Sequence, residues 1–105
     1  MEIKEAQEKV NDLIKHYGGY WQPLSMMARI TEETGELARE VNDRYGPKKK
    51  KPIEDKSSIE SEIGDMLFTL CCLANSQGLN MEECFQKAMN KCYIRDKDRF
   101  EKKET

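Results

Sequence analysis

Apolar residues recur at intervals of three and four along most of the chain, the spacing that brings side chains onto one face of an α-helix. Four such segments can be distinguished, and no stretch shows the alternation that is typical of a strand. The pattern predicts helices that begin near Ile3, Pro23, Ser57 and Asn80. Because the connections are short, we expect an all-α fold in which neighbouring helices pack roughly antiparallel as a four-helix bundle.

Signals for helix ends agree with this division. Ser57 followed by Glu60 has the spacing of a capping box at the start of the third helix, and Asn80 followed by Glu83 has a similar spacing in the fourth. The glycines that end the helical patterns are Gly18, Gly19, Gly46 and Gly78.

The second and third helices carry the same acidic pattern. Residues 30–37 align with residues 59–66, so that Ile matches Ile, Glu matches Glu and Gly matches Gly. The acids of this repeat are Glu33, Glu36, Glu62 and Asp65. Acids three residues apart share a helix face, and we expect both pairs to lie along the edge of the apolar stripe. If the two helices pair about an approximate twofold axis, the four carboxylates converge.

A glycine precedes the second acid in both helices, at Gly35 and Gly64. Glycine inside a helix costs about 1 kcal/mol relative to alanine. We therefore predict that these glycines allow close backbone approach or leave room for a ligand beside the acids. A solvated acidic face explains one such helix more easily than two helices with matched glycines.

Converging carboxylates repel one another unless a cation lies among them. Ligand sets made only of oxygen suit Mg²⁺, and Mn²⁺ as an alternative. A di-iron bundle also uses acids, but it normally needs a Glu-x-x-His motif on two helices. The single histidine, His16, lies outside both motifs. The sequence therefore favours a magnesium site over a di-iron site.

Composition adds limits to this interpretation. The chain has 105 residues, of which 36% are charged and 37% hydrophobic, so we expect one domain over 1–105 with a thin core that pairs with further copies as a homodimer or homotetramer. A net charge of −2 favours neither nucleic acid nor an anionic membrane, and no apolar run is long enough to predict a transmembrane helix. The charged N-terminal segment and four cysteines without a C-x-x-C pair predict a cytoplasmic protein with reduced thiols.

Residues 32–36 read Glu-Glu-Thr-Gly-Glu, and residues 62–65 read Glu-Ile-Gly-Asp. This pair of segments resembles the E-E-x-x-E and E-x-x-D motifs of the MazG-type pyrophosphohydrolases, most closely the short, single-domain bacterial members. The resemblance runs from about Pro23 to Phe100. It implies an enzyme that hydrolyses a nucleoside triphosphate, ribo- or deoxyribo-, to the monophosphate and pyrophosphate. Metal-activated water would attack the α-phosphorus.

The resemblance also implies roles for individual residues. Its metal ligands would be Glu33, Glu36, Glu62 and Asp65. Glu32 and Glu33 are the candidates for catalysis, and Glu32 lies about 100° round the helix from the metal-binding face, where it would orient or deprotonate the water. A surface position is the alternative for Glu32.

Substrate contacts can be assigned in the same way. Lys91 and Arg95 match the basic residues at the end of the family pattern and share one helix face, so they are candidate phosphate ligands, as is Lys56 in the preceding loop. Solvated charges are the alternative. A nucleobase requires a flat aromatic partner, for which Tyr17, Tyr20 and Trp21 are the candidates. Packing of the first helix against the second is an equally good explanation of these three aromatic residues.

Two other functions remain open at this point. One is a non-catalytic, oligomeric helical module that binds a partner protein and uses its acids for solubility. The other is a diphosphatase that acts on a related phosphorylated metabolite.

Overall fold

A computed structural model of the chain describes residues 1–49 and 58–95, which form four α-helices. These are α1 (Ile3–His16), α2 (Pro23–Tyr45), α3 (Ile59–Ser76) and α4 (Met81–Arg95). The described ranges contain no strand, so the predicted all-α class is confirmed. In these ranges every helix is too short or too polar to cross a membrane. The candidate phosphate ligand Lys56 lies outside the described residues.

Two helix ends coincide with glycines in a backbone conformation that other residues rarely adopt. Gly18 and Gly19 follow α1 with φ values of 99° and 105°, and Gly78 follows α3 with a φ of 66°. Pro23 begins α2, where its missing N–H leaves no hydrogen bond unmade. The ends predicted from these glycines and this proline are confirmed.

The capping box of α3 lies one residue further along than predicted. Ser58 Oγ accepts a hydrogen bond from the backbone N–H of Ser61 at 3.1 Å, and Ser61 Oγ accepts one from the N–H of Ser58 at 3.2 Å. The prediction of Ser57 with Glu60 was therefore wrong, because a serine rather than a glutamate makes the reciprocal bond.

Helix packing is centred on α2 and α3, with α1 against α3 and α4 against α1. The buried apolar cluster is small and consists of Val10, Met26, Cys71 and Cys72. The helical apolar patterns around Cys71, Cys72 and Cys84 predict that these cysteines pack as small hydrophobic residues. Cys71 and Cys72 are free thiols that do so, but Cys84 is exposed, because α4 has no buried residue.

Large apolar side chains remain exposed on all four helices, and on α3 and α4 they form stripes. Ile63 and Leu67 on α3 are 47% and 54% exposed, and Phe85 and Met89 on α4 are 60% and 41% exposed. Each pair is four residues apart and forms a stripe along its helix. Within the described part of the chain, no element covers these stripes, which agrees with the thin core predicted from composition.

A chain of hydrogen bonds ties α1 to the segment before α2 and to the end of α3. Gln7 Nε2 donates to Asn75 Oδ1 at 2.8 Å, and Asn75 Nδ2 donates to the Tyr20 hydroxyl at 3.0 Å. The Tyr20 hydroxyl in turn donates to Asn11 Oδ1 at 2.9 Å. This network fixes Tyr20, and with it the segment between α1 and α2, against α3.

Candidate functional site

Four carboxyl groups from α2 and α3 meet where these helices pack. Each offers one oxygen atom, and the four oxygens lie within 4.8 Å of one another. The groups belong to Glu33 and Glu62, which are buried, to Glu36, which is half-buried, and to Asp65, which is exposed. The convergence predicted from the repeated acidic pattern is therefore confirmed.

The first acid of each pair lies deeper than predicted. Glu33 and Glu62 are only 1% and 2% exposed. We predicted that the acids follow the edge of a buried apolar stripe, but Ile63 and Leu70, which belong to the apolar pattern of α3, are 47% and 38% exposed. The prediction was wrong for the first acids, because α3 turns its acidic face, and not the centre of its apolar stripe, towards α2.

Two oxygen atoms in this cluster have no hydrogen-bond partner among the described residues. Oε2 of Glu33 and Oε2 of Glu62 are buried and accept no hydrogen bond from any described residue. A buried carboxylate oxygen without a partner is energetically costly. A hard cation with oxygen ligands would satisfy both atoms at once. The donor set, which consists entirely of carboxylates, therefore fits such an ion.

The charge balance of the cluster also favours a cation. Burial raises the pKa of the Glu33 carboxyl group, Arg29 opposes that rise, and Glu36 and Asp65 add to it. For Arg29, burial lowers the pKa of the guanidinium, but the nearby carboxylates, with Glu33 first, outweigh burial and raise it overall. The ionised form of Glu33 is thus destabilised in a way that an added positive charge would relieve.

Arg29 lies one turn before Glu33 and contacts two acids. Its Nη2 is 2.5 Å from Glu33 Oε1, and its Nη1 is 3.1 Å from Glu32 Oε2. The Glu32 side chain is 63% exposed and pairs with Arg29 outside the four-carboxylate cluster. Arg29 was not predicted from the sequence, because its one signal, a position four residues before an acid, is common on helix surfaces.

A cavity of about 480 Å³ adjoins the carboxylates. Arg29, Glu33 and Asp65 line one part of it. The apolar and aromatic part includes Tyr17, Tyr20, Trp21, Met26, Phe68 and Cys72. This volume is within the range of roughly 300–1,000 Å³ that is common for small-molecule sites. The three aromatic candidates therefore line the same cavity as two of the four acids.

These three aromatic residues differ in how firmly they are held. Tyr17 and Trp21 are 76% and 64% exposed, so most of each side chain is free to contact a ligand. Tyr20 is half-buried, and its hydroxyl belongs to the network that includes Asn11 and Asn75. Tyr20 therefore holds the segment between α1 and α2 against α1 and α3, which differs from the α1–α2 contact that we raised as the alternative, and it also lines the cavity.

The predicted phosphate ligands of α4 do not lie at this cavity. Lys91 and Arg95 are exposed on the helix that packs against α1, and neither residue is part of the cavity lining or of the carboxylate cluster. Their assignment to phosphate stays a prediction.

The two matched glycines have open space around them. Apart from neighbouring residues and the backbone of its own helix turn, a Cβ atom added at Gly35 or at Gly64 would meet no described atom within 4 Å. The prediction of close backbone approach was therefore wrong within the described residues. The other prediction, room for a ligand beside the acids, is compatible with this open space.

Comparison with known proteins agrees with the geometry of the site. Residues 21–100, which include all four acids, match the family model of the MazG nucleotide pyrophosphohydrolase domain. The Bacillus subtilis protein YpjD is 54% identical over 103 residues, which cover 97% of this chain and 93% of that protein. Its crystal structure, described as that of a candidate pyrophosphatase, matches with a TM-score of 0.77 at 53% identity, covering 87% of this chain and 94% of that one.

Two further solved structures are similar. A Bacillus-conserved MazG protein, described as a nucleotide pyrophosphohydrolase, matches with a TM-score of 0.78 at 45% identity and covers 93% of this chain and 96% of its own. The iMazG protein from Vibrio DAT 722 matches with a TM-score of 0.61 at 28% identity and covers 87% and 99%. The family match covers most of the chain and both acidic motifs. The chain therefore belongs to the MazG family of nucleotide pyrophosphohydrolases, which are hydrolases.

Proposed function

We propose that this protein hydrolyses a nucleoside triphosphate, ribo- or deoxyribo-, to the monophosphate and pyrophosphate in a reaction that requires Mg²⁺. The observation that carries the proposal is the cluster of four carboxylates, in which two buried oxygens accept no hydrogen bond from the described residues, beside a cavity of about 480 Å³. A solvated acidic surface would account for neither the burial nor the adjoining cavity.

The metal ligands in this proposal are Glu33, Glu36, Glu62 and Asp65, with Mn²⁺ as an alternative to Mg²⁺. When bound, the ion neutralises charge on the phosphate oxygens and lowers the pKa of a bound water. Glu33 and Glu62 have little room to move because they are buried between helices, so they keep the ligand oxygens in place. Glu36 and Asp65 are nearer to solvent and meet the incoming triphosphate.

The hydrolytic step needs a group that orients water and accepts its proton. Glu32 and Glu33 are the candidates, since they are adjacent in sequence and both contact Arg29. The water oxygen bonds to the α-phosphorus, the proton passes to the carboxylate, and the bond from the α-phosphorus to the bridging oxygen breaks. Pyrophosphate then leaves with the electron pair of that bond.

The remaining substrate contacts are proposed from the cavity and from α4. Tyr17, Tyr20 and Trp21 would contact the nucleobase, which their position along the cavity supports. Lys91 and Arg95 would contact phosphate, a role that has less support because they lie outside the cavity lining of one copy.

Self-association as a homodimer or homotetramer forms part of the proposal. It is supported by the exposed apolar stripes of α3 and α4, represented by Leu67 and Phe85, which a second copy would cover. A cytoplasmic location is supported by four free cysteines, two of them buried, which suit a reducing compartment.

Product analysis tests the reaction directly. A panel of ribo- and deoxyribonucleoside triphosphates is incubated with Mg²⁺, with Mn²⁺ or with excess chelator, and monophosphate and pyrophosphate are quantified. We expect equal amounts of the two products, none with chelator and none from an Asp65→Asn variant. The matched control is Glu60→Gln, which removes an exposed acid from the first turn of the same helix.

Three outcomes would contradict the proposal. Release of inorganic phosphate and a diphosphate would place the cleavage at the wrong bond. Activity confined to other phosphorylated metabolites would favour the diphosphatase. Full turnover in chelator would remove the metal from the mechanism.

A further inference from the structure

Arg29 is a cation that contacts the carboxylate cluster and lines the adjoining cavity. It contacts Glu33, a cluster member, and Glu32, which lies outside the cluster. The two contacts differ in environment, because the Glu33 side chain is 1% exposed and the Glu32 side chain is 63% exposed. The guanidinium thus reaches from solvent to the buried edge of the site.

The contact with Arg29 compensates the negative charge of the buried Glu33 carboxylate, which the neighbouring carboxylates repel. Glu33 is buried beside three further carboxylates, and an unpaired buried charge is strongly destabilising. Arg29 neutralises one carboxylate of the four. It leaves Oε2 of Glu33 without a hydrogen bond from the described residues.

A divalent cation bound by the four carboxylates would compete with this contact. The ion would bind Oε2 of Glu33, beside the Oε1 that Arg29 holds, and its positive charge would repel the guanidinium. The second contact, with the exposed Glu32, is an ordinary surface ion pair and would hold Arg29 only weakly.

The displaced side chain would remain at the ligand site. Arg29 lines the same cavity as Trp21 and Asp65, and its side chain is 43% exposed, so it has space to turn. A guanidinium presents a planar set of donors that matches the oxygens of a phosphate group.

We propose that Arg29 is a displaceable counter-ion, which neutralises Glu33 when the cluster binds no metal ion and turns to bind a phosphate group of the ligand when a divalent cation occupies the cluster. This inference rests on the proposed function for the metal ligands. It differs from a purely structural role because it predicts two changes of opposite sign when Arg29 is replaced.

The test compares Arg29→Met with Arg44→Met. Arg44 is also on α2, fifteen residues later and hence about 22 Å further along the helix axis, where its guanidinium stacks on Tyr45 with 5.6 Å between the guanidinium carbon and the ring centroid. Mg²⁺ binding is measured by calorimetry without nucleotide, and pyrophosphate binding is measured on the Mg²⁺-saturated protein. Melting temperatures are recorded in chelator and in saturating Mg²⁺.

For Arg29→Met we expect Mg²⁺ to bind about tenfold more tightly, because a competing positive charge is gone. Pyrophosphate should bind about tenfold to a hundredfold more weakly, because a charge-assisted contact is lost. The melting temperature should fall in chelator, and Mg²⁺ should raise it by more than it does in the wild type. Arg44→Met should leave both affinities unchanged.

Unchanged or weaker Mg²⁺ binding by Arg29→Met would overturn the counter-ion role, and unchanged pyrophosphate binding would overturn the phosphate role. If the wild type shows Mg²⁺-dependent turnover, either result refutes only the role inferred for Arg29 and leaves the proposed function in place. A wild-type protein that neither binds Mg²⁺ nor hydrolyses nucleotide refutes the proposed function and this inference together. If Arg29→Met fails to fold, Arg29→Lys is measured instead, because it retains the positive charge without the planar guanidinium. This variant should keep the Mg²⁺ affinity of the wild type and bind pyrophosphate more weakly. Wild-type pyrophosphate affinity in Arg29→Lys would overturn the phosphate role.

Discussion

Glu33 on α2 and Glu62 on α3 offer carboxylate oxygens within 4.8 Å of each other, and each keeps one buried oxygen that accepts no hydrogen bond from the described residues. They are also the largest fully buried side chains of that part of the chain. Two buried like charges oppose folding unless a proton or a cation compensates them. The stability of this helix pair should therefore depend on metal concentration and on pH.

Removing one of the more exposed acids should separate activity from stability. Asp65→Ala and Glu36→Ala each delete a proposed metal ligand, so turnover should be abolished. Both variants also lose like-charge repulsion, so we expect unchanged helix content and a higher melting temperature than the wild type in chelator. Pyrophosphate release and thermal melts followed by circular dichroism measure these effects. Near-normal turnover of either variant at saturating Mg²⁺ would show that the four-carboxylate site is wrong.

The raised pKa of Glu33 predicts that the metal-free fold becomes more stable as the pH falls. A carboxyl group with a raised pKa binds its proton more tightly in the folded state. Its stabilising contribution is therefore complete below the ordinary value of 4.5 and is lost as the pH rises through the raised folded value. Melting temperatures in chelator should rise as the pH is lowered towards 4.5, and Glu33→Gln should show a weaker rise. Equal slopes in the two proteins would contradict this assignment.

Tyr20 and Trp21 should respond differently to substitution although they are adjacent. Tyr20→Phe removes the hydroxyl that links Asn75 to Asn11, so the free energy of unfolding should fall by about 1 kcal/mol. Trp21→Ala removes a mostly exposed ring, so it should raise KM and leave the melting temperature nearly unchanged. Paired kinetics and melts measure both effects. An unchanged KM in Trp21→Ala would exclude this ring from the base contact.

Lys91→Met tests the phosphate role of α4. If Lys91 contacts a phosphate, kcat/KM should fall about tenfold to a hundredfold, and the loss should be larger at low salt. Lys87→Met is the matched control, because Lys87 is exposed one turn earlier on the same helix. Kinetics of Lys91→Met that match the control at both salt concentrations would return Lys91 to the solvated surface.

The sequence predicts the helices and the acid cluster because both depend on repeated spacing. Gly18, Gly19 and Gly78 mark helix ends through positive φ angles, which few other residues adopt. The acid-x-Gly-acid repeat predicts convergence because spacing fixes a helix face whatever its neighbours are.

Features that depend on a single contact between helices could not be predicted in this way. The bonds of Gln7 with Asn75 and of Asn75 with Tyr20 join residues 68 and 55 positions apart, and nothing periodic indicates them. Helix rotation was missed for the same reason. Spacing indicates which residues share a face, but whether Glu62 or Ile63 turns towards α2 depends on the whole assembly of helices.

Because the two buried glutamates lie on different helices, Glu33 on α2 and Glu62 on α3, an ion that binds both would act as a clamp across the main helix pair. Amide hydrogen exchange would then slow in α2 and α3 when metal is added, since opening this pair would also release the ion. Helix α4 packs against α1 and contributes no acid to the cluster, so the exchange of its amides should change little. Metal would thus divide one small chain into a part that opens rarely and a part that opens often.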